Sequence, residues 1–252
     1  MGIPVIDELY PEPRTGLDRD ALAALYGRPG AALPPTDRPW IRVNFVTTLD
    51  GSATGADGRS GSISTVADKT VFGVLRRLAD AVLVAAGTVR QEGYQGALVS
   101  PGQRDWRLGH GLAEHPAFVV ATRRLDLDPA GLADSPVRPV VLTVSAAPAD
   151  RRAALAEVAD VLDCGDEEIE AARLRAVLAE RGLGDVLCEG GPSFFGSLAA
   201  ASAVDELCLT LVPQIVAGAG PRIAHGAPAE LGLHLAHALR GDEDELLLRY
   251  TR

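Results

Sequence analysis

The sequence predicts an α/β protein in which a mainly parallel sheet is flanked by helices and ends in an antiparallel hairpin. Short apolar runs typical of buried strands alternate with segments of helical periodicity, an order that favours parallel strands joined by crossover helices. The C-terminal region breaks this order. A tight turn at 241–244 joins the last two strand-like runs with no helix between them, and therefore predicts a hairpin.

The chain is expected to divide into a Pro-rich extension over 1–38 and a single domain over 39–252. The extension contains one segment, 17–26, with the pattern of a short helix. The domain opens with a strand at 41–46, where apolar and polar side chains alternate. A polar loop rich in Gly, Ser and Asp follows over 50–62.

The first helix of the domain is predicted to begin after Thr65. Thr65 is a suitable N-cap residue, and Asp68 stands at the third helical position as an acidic variant of a capping box. Apolar residues then recur at helical spacing. The run 81–86 that follows is almost entirely apolar, which is typical of a strand covered on both faces.

The alternation of strands and helices continues toward the C-terminus without an internal repeat. The remaining predictions, in chain order, are strands at 117–121 and 140–144, a helix at 149–158, a strand at 161–164, a helix at 167–180, a strand at 186–189, a helix from 192 to about 201, and strands at 207–212, 233–239 and 245–251.

Composition and charge exclude several classes of partner. The chain carries 24 basic and 34 acidic residues, a net charge of −10, which disfavours binding to nucleic acid or an anionic membrane. Its longest smooth apolar stretch, 81–86, is too short to span a bilayer, and the N-terminus lacks the pattern of a signal peptide. Three widely spaced cysteines, Cys164, Cys188 and Cys208, indicate a reducing compartment. A cytoplasmic protein is expected.

The glycine-rich junction after the strand at 186–189 is the first candidate site. Gly190 and Gly191 would let the backbone approach an anion, and the helix start at Pro192 offers unpaired N–H groups, an arrangement that suits a dinucleotide pyrophosphate. A plain turn with glycines for close packing is the alternative. Glu189 stands at the carboxyl end of the strand, where it would either contact a ligand or cap the helix.

Two further strand ends carry candidate residues. Gly87 and Thr88 follow the buried run 81–86, and Thr88 would either cap a helix or bind a phosphate. Asp50 and Gly51 follow the first strand, where the pair is usually only a turn. No metal site is predicted, and no nucleophile elbow or P-loop lysine is present. A cofactor-dependent reaction therefore fits the sequence better than covalent or metal catalysis.

Taken in order, these segments resemble the reductase (RibD C-terminal) family of riboflavin biosynthesis, which has the dihydrofolate reductase-like fold. The resemblance extends from about residue 38 to the C-terminus. The matching pieces are RPW at 38–40 with the strand to Asn44, TLDG at 48–51, LRRLADAVLV at 75–84, GTV at 87–89, EGGPS at 189–193, and VDEL at 204–207 before Val212-Pro213.

The resemblance implies a reductase that uses NADPH to reduce the ribosylamino group of a phosphorylated aminopyrimidine. It also implies a homodimer. Arg123 or its neighbour Arg124 would pair with the 2′-phosphate, although a solvated arginine pair is an equal alternative. The residues implied at the cofactor are Val46 near the nicotinamide, Gly87, Thr88, Glu92, Thr122, Arg123, and the segment Gly190, Gly191, Pro192, Ser193, Phe194 and Phe195.

The positions similar to the family's substrate contacts are Asn44, Ser60, Arg76 and Glu189. Arg76 has a rival role, because an arginine late in a helix can face solvent or interact with the helix dipole. Reduction also needs a proton, which would come from water or from an acid. Asp50 and Glu189 are the candidate acids.

The sequence departs from the family where a phosphate-contacting arginine is expected, since Val99 stands there. Arg104 or Arg107 would replace it; otherwise the native substrate differs. The zinc signature of the deaminase half of bifunctional relatives is absent, so deamination is not expected. Two alternatives stay open: reduction of dihydrofolate, a pterin or another small molecule on the same fold, and a nucleotide-binding protein without catalysis.

Overall fold

The computed structural model describes residues 4–28, 38–94 and 96–252. The strands in these ranges are β1 (Ile6–Tyr10), β2 (Trp40–Thr48), β3 (Ala81–Ala85), β4 (Ala117–Ala121), β5 (Val140–Thr143), β6 (Asp160–Asp163), β7 (Asp185–Cys188), β8 (Glu206–Val212), β9 (His234–Gly241) and β10 (Leu246–Thr251). The helices are α1 (Arg19–Tyr26), α2 (Val66–Leu78), α3 (Ala86–Glu92), α4 (Pro101–Gly109), α5 (Pro129–Ala133), α6 (Ala149–Ala156), α7 (Ala171–Glu180) and α8 (Pro192–Ala200).

The described residues form two compact units. The first consists of 4–28, Ile41–Leu75 and Pro192–Arg252. In it β2 pairs in parallel with β8, and β8, β10, β9 and β1 pair antiparallel in that order. The β9–β10 pair is the hairpin that the sequence predicts at the C-terminus.

The second unit consists of 38–40 and Arg76–Gly191. Its five strands are all parallel, in the order β7, β3, β4, β5, β6. The central strands are apolar throughout, and Val82, Val84, Phe118, Val120 and Val141 form the middle of a buried cluster. Strands of this kind are covered on both faces, as the apolar run 81–86 indicates.

The structure also contains elements that the sequence did not predict. β1 lies in the Pro-rich extension and pairs with β9, while α4 and α5 interrupt a stretch with little periodicity. The helix predicted over 17–26 is present, but it begins at Arg19 because Asp18 accepts hydrogen bonds from the amides of Asp20 and Ala21. Part of the predicted extension, 29–37, lies outside the described residues. No helix in the described ranges is long and apolar enough to cross a membrane.

The start of α2 differs in one respect from the predicted capping box. Thr65 Oγ1 does accept from the Asp68 amide, at 3.2 Å, as an N-cap residue should. The Asp68 carboxylate, however, does not return to the Thr65 backbone. It accepts instead from the hydroxyls of Ser64 and Thr210.

A buried charge cluster joins β2, β8 and β10 in the first unit. Glu206 accepts from Arg42 Nε at 2.5 Å and from Arg249 Nε and Nη2 at 2.9 Å each. The two arginines also donate to the last carbonyls of α1, at Leu25, Tyr26 and Gly27. Burial raises the pKa of Glu206, but the two guanidinium groups outweigh it and lower that pKa to about 2.

We expect Glu206→Gln to lower the free energy of unfolding by about 3–5 kcal/mol, because it leaves two buried arginines without a balancing charge. Urea unfolding of the purified protein measures this loss. Glu168→Gln is the matched control, since Glu168 pairs with Arg123 at the surface, where the side chains are 72% and 53% exposed, and should change stability by less than about 1 kcal/mol. Equal effects of the two substitutions would contradict the assignment.

His237, on β9, makes the stability of the first unit depend on pH. Its ring is buried at 4.6 Å from the Tyr26 ring, and its Nε2 has no hydrogen-bond partner in the described structure. Burial, assisted by the Arg249 cation, lowers the pKa of His237 from 6.5 to about 4. The unfolded chain therefore binds a proton between pH 6.5 and pH 4 that the folded chain does not.

Stability should thus be complete above pH 6.5 and fall by up to about 3 kcal/mol on acidification to pH 4 through this residue alone. We expect His237→Phe to remove that part of the pH dependence. Denaturant titrations at several pH values measure it, with His234→Gln, an exposed histidine of the same strand, as the control. Parallel pH curves for wild type and His237→Phe would contradict this expectation.

Candidate active site

An arginine–carboxylate pair lies at the carboxyl end of β7 in the second unit. Arg76 Nε and Nη2 each lie 2.6 Å from one oxygen of Glu189, and Arg76 Nη1 donates to the carbonyl of Leu98 at 3.2 Å. This two-point geometry fixes both planar groups. The Glu189 side chain is fully covered, whereas that of Arg76 is 19% exposed. Burial works to lower the pKa of Arg76, but the Glu189 charge outweighs it and raises that pKa.

Tyr94 completes this cluster and was not predicted as a site residue. Its hydroxyl donates to Glu189 Oε2 at 2.9 Å, its ring stacks on Phe118 with an angle of 8°, and the Arg76 guanidinium lies 5.5 Å from the ring centroid. Burial and the neighbouring Glu189 charge raise the pKa of Tyr94, so its hydroxyl remains a donor. No local pattern marks this residue, because its partner is 95 positions away in the chain.

The glycines after Glu189 adopt conformations that other residues rarely take. Gly190 has φ +126° and Gly191 has φ +96°. A Cβ on Gly190 would stand 3.6 Å from the Thr88 methyl group, an ordinary contact, so the positive φ rather than lack of space favours glycine at this position. Gly87 borders open space. Two adjacent glycines with positive φ beside a threonine at the start of a helix fit a backbone cradle for a phosphate group.

The other residues predicted at the cofactor in the second unit have identifiable partners. Thr122 Oγ1 accepts from the Leu125 amide at 3.1 Å and is buried. Arg123 pairs with the exposed Glu168. Glu92 is exposed at the last position of α3. Only Gly190 and Thr88 among these cofactor residues are shown close together.

In the first unit, the predicted residues Asn44 and Val46 lie on β2, and Ser60 lies in a short 3₁₀ turn, Ser60–Ser62. Val46 is buried with Ile63 and Val212. Pro192 is the first residue of α8, with Ser193 exposed and Phe194 half-buried behind it. Phe195 is buried, its ring 5.4 Å from that of Phe45.

Asp50, a predicted proton donor, is exposed and held by three donors. It accepts from the Thr48 hydroxyl at 2.5 Å and from the amides of Ala217 at 2.7 Å and Val216 at 3.4 Å. These bonds, led by that of Thr48, lower the pKa of Asp50. Asp50 therefore accepts all three hydrogen bonds as a carboxylate.

Arg107 does not replace the arginine expected at Val99. It is fully buried, and its guanidinium donates to the carbonyls of Arg77, Ala79 and Ala113 at 2.6–3.0 Å. Arg107 therefore caps the C-terminal end of α2 instead of binding an anion. Arg104 lies 3.2 Å from Glu114. Val99 is itself buried, with 4% of its surface exposed.

The part of the chain that the structure describes contains no cluster of metal-ligating side chains. No group of three or more His, Cys, Asp or Glu side chains there is arranged to hold a metal ion. The polar chemistry of the second unit is instead concentrated in the Arg76–Glu189–Tyr94 cluster and in the adjoining glycine cradle.

The strand pairings place the chain in the dihydrofolate reductase-like class of α/β proteins, which confirms the fold class predicted from the sequence. Residues 39–247 match the RibD C-terminal domain, and the chain belongs to that family. It is 28% identical over 182 residues to the 2,5-diamino-6-ribosylamino-4(3H)-pyrimidinone 5′-phosphate reductase of Archaeoglobus fulgidus, a match that covers 72% of this chain and 83% of the relative.

Two solved structures show the same fold. A pyrimidine reductase-like protein from Corynebacterium diphtheriae has a TM-score of 0.78 and 26% identity, covering 91% of this chain and 97% of that protein. The deaminase/5-amino-6-(5-phosphoribosylamino)uracil reductase of Thermotoga maritima has a TM-score of 0.63 and 20% identity, covering 85% of this chain and 56% of that protein.

We expect Tyr94→Phe to lower the free energy of unfolding by about 1.5–3 kcal/mol, because it removes one hydrogen bond from a covered, charge-paired carboxylate. Tyr94→Leu should cost more, since it also removes the stacking on Phe118 and the contact with Arg76. Urea unfolding measures both. Tyr250→Phe is the control, because that hydroxyl has no hydrogen bond in the described structure, and a Tyr94→Phe loss no larger than this control would refute the role of the hydroxyl.

Proposed function

We propose that the protein is an NADPH-dependent oxidoreductase that reduces a phosphoribosylaminopyrimidine in riboflavin biosynthesis by hydride transfer. The Archaeoglobus relative is named for reduction of such a substrate. The single structural observation that carries the proposal is the fixed Arg76–Glu189 pair directly before Gly190 and Gly191, two glycines with positive φ beside Thr88. The pair provides polar recognition, and the cradle provides a place for a phosphate group.

The residues of the chain fit a nicotinamide dinucleotide. We propose that Gly87, Thr88, Gly190 and Gly191 hold its pyrophosphate, because Gly87 is exposed with open space beside it and the two later glycines have positive φ. Arg123 would reach the 2′-phosphate only by leaving Glu168, an exchange that is inexpensive for an exposed ion pair. The bound cofactor supplies the hydride. The remaining cofactor contacts proposed are Val46, Glu92, Thr122, Pro192, Ser193, Phe194 and Phe195.

For the substrate we propose a site formed by Asn44, Ser60, Arg76 and Glu189. The two side chains of the ion pair differ in exposure and would therefore have different roles. The Arg76 side chain reaches solvent, whereas the Glu189 side chain is fully covered, so Arg76 would meet the substrate and Glu189 would orient Arg76 from behind. A fixed guanidinium recognises planar or anionic groups well, because it loses little further freedom on binding.

A second candidate, reduction of dihydrofolate or a related pterin, is favoured by one observation. Val99 is buried and Arg107 is occupied by backbone carbonyls, so neither provides an anchor for a substrate phosphate. A substrate without a ribose phosphate would need no such anchor. The fold and the cofactor cradle serve this reaction equally well.

The decisive experiment follows NADPH oxidation by the purified protein with three acceptors in parallel. These are the diaminopyrimidinone and aminouracil forms of the phosphoribosylaminopyrimidine, and dihydrofolate. Oxidation with either pyrimidine alone is the expected result. Oxidation with dihydrofolate alone would establish the second candidate, and NADPH binding without turnover of any acceptor would indicate a non-catalytic nucleotide-binding protein.

We expect Glu189→Gln to reduce kcat/KM for the pyrimidine by about 10- to 100-fold, because Arg76 loses its two-point partner and its fixed orientation. Circular dichroism and the melting temperature establish that the variant is folded. Asp244→Asn, at the exposed ion pair with Arg240, is the matched activity control. A folded Glu189→Gln variant with wild-type kcat/KM would exclude Glu189 from the site.

We further propose a cytoplasmic homodimer, in keeping with the family resemblance. Light scattering during size-exclusion chromatography measures the mass in solution, for comparison with 26.3 kDa per chain.

A further inference from the structure

Asp68 is a buried carboxyl group that the proposed function has not yet used. It lies in the first turn of α2 with 7% of its surface exposed. Its Oδ1 accepts from the Thr210 hydroxyl at 2.6 Å, and its Oδ2 bonds with the Ser64 hydroxyl. Within the described structure, Asp68 has no ion-pair partner. Glu189 and Glu206, by contrast, are each paired with arginine.

The strand register relates Asp68 to residues already proposed for the site. β2 and β8 pair in parallel, with Asn44 opposite Cys208 and Val46 opposite Thr210. Side chains of paired residues in parallel strands lie on the same face of the sheet. Asp68 bonds to Thr210 on this face, so its carboxyl group lies on the side of the sheet that carries Asn44 and Val46.

The surroundings of Asp68 favour its neutral form. Burial raises its pKa, and the hydroxyls of Ser64 and Thr210 and the adjacent Lys69 cation offset this only in part. The other charged groups at this end of α2 are acidic. Glu245 accepts from the Thr65 hydroxyl, and Glu243 accepts from the Val66 amide.

We propose that Asp68 is the proton donor for the reduction, a role that rests on the proposed function. Neither carboxyl group predicted from the sequence suits that role, because Asp50 is exposed and bound by three donors and both oxygens of Glu189 bond to Arg76. Asp68 alone among these three is bonded to hydroxyl groups only.

The proton and electron balance is simple. A bound reduced nicotinamide would supply two electrons and one hydrogen, as hydride, for the carbon of the substrate's C=N bond. The nitrogen then takes the proton from the Asp68 carboxyl, the C=N π bond becomes C–H and N–H single bonds, and Asp68 is left as a carboxylate. Water restores its proton.

Ser64 provides the route for that restoration. Its hydroxyl bonds with Asp68 Oδ2 and is only half-buried. A hydroxyl both donates and accepts. Ser64 can thus accept a hydrogen bond from a neutral Asp68 in the resting state, and pass a proton from solvent to the carboxylate after turnover.

The first test replaces the acid and keeps its shape. We expect Asp68→Asn to lower kcat with the pyrimidine by about 100-fold or more, the usual contribution of general acid catalysis. NADPH affinity, measured by fluorescence titration, should stay within twofold of wild type. Asp68→Glu should recover part of the lost kcat. A folded Asp68→Asn variant with wild-type kcat would overturn the proposal.

The second test uses the pH profile, which a purely structural role would not shift. A donor must be protonated, so wild-type kcat/KM should fall as the pH rises through the pKa of Asp68. Thr210→Val removes a hydroxyl that stabilises the carboxylate, which raises that pKa further, and the alkaline limb should move to higher pH. An unmoved limb in Thr210→Val would overturn the proposal.

The protonation state has a readout that does not depend on turnover. The infrared spectrum of the protein, recorded as the pH is raised from 4, should contain the C=O stretching band of a carboxyl group that stays protonated above the ordinary Asp pKa of 3.8, and Asp68→Asn should lack it. Absence of the band from wild type would overturn the donor role. If wild type contains the band but does not oxidise NADPH with the pyrimidine, the proposed function is wrong. If wild type is active and Asp68→Asn equally so, only the donor role is wrong.

Discussion

The Glu206 carboxylate, shared by Arg42 and Arg249, is the interaction on which the first unit most depends. All three charged groups are buried, and each ion pair offsets the cost of removing its charges from water. Because the groups come from β2, β8 and β10, the cluster opposes any slip in the register of those strands. The arginines also bond the carbonyls at the end of α1, which fixes the N-terminal helix to the sheet.

The second unit also contains a covered carboxylate paired with an arginine, but this pair lies nearer to the surface. Glu189 is covered, but its partner Arg76 is partly exposed, and Tyr94 supplies the additional hydrogen bond that a second arginine supplies for Glu206. The difference in exposure separates a structural cluster from one that can meet a ligand. A guanidinium held by a covered carboxylate is oriented before the ligand arrives, so little rotational freedom remains to be lost on binding.

The sequence predicts best those features that repeat along the chain. The strand at 117–121 was predicted with the same bounds as β4, because its alternation with helices is a local pattern. β1 was missed, since it forms only by pairing with β9, far away in the sequence. The contacts of Tyr94 with Glu189 and of Asp68 with Thr210 were missed for the same reason, because the partners are 95 and 142 positions apart in the chain. Arg107, one of the two arginines considered in place of Val99, is buried against backbone carbonyls, and burial cannot be read from an isolated arginine.

Three carboxyl groups, each with different neighbours, show how one protein can assign different tasks to the same functional group. Amide and hydroxyl donors at an exposed turn keep Asp50 charged, and a guanidinium gives Glu189 a fixed geometry. Asp68 has hydroxyls alone, which stabilise its carboxylate but can also accept a hydrogen bond from its carboxylic acid, because a hydroxyl group both donates and accepts. A group that must lose and regain a proton in every cycle needs neighbours of this last kind, since a fixed cation would oppose protonation.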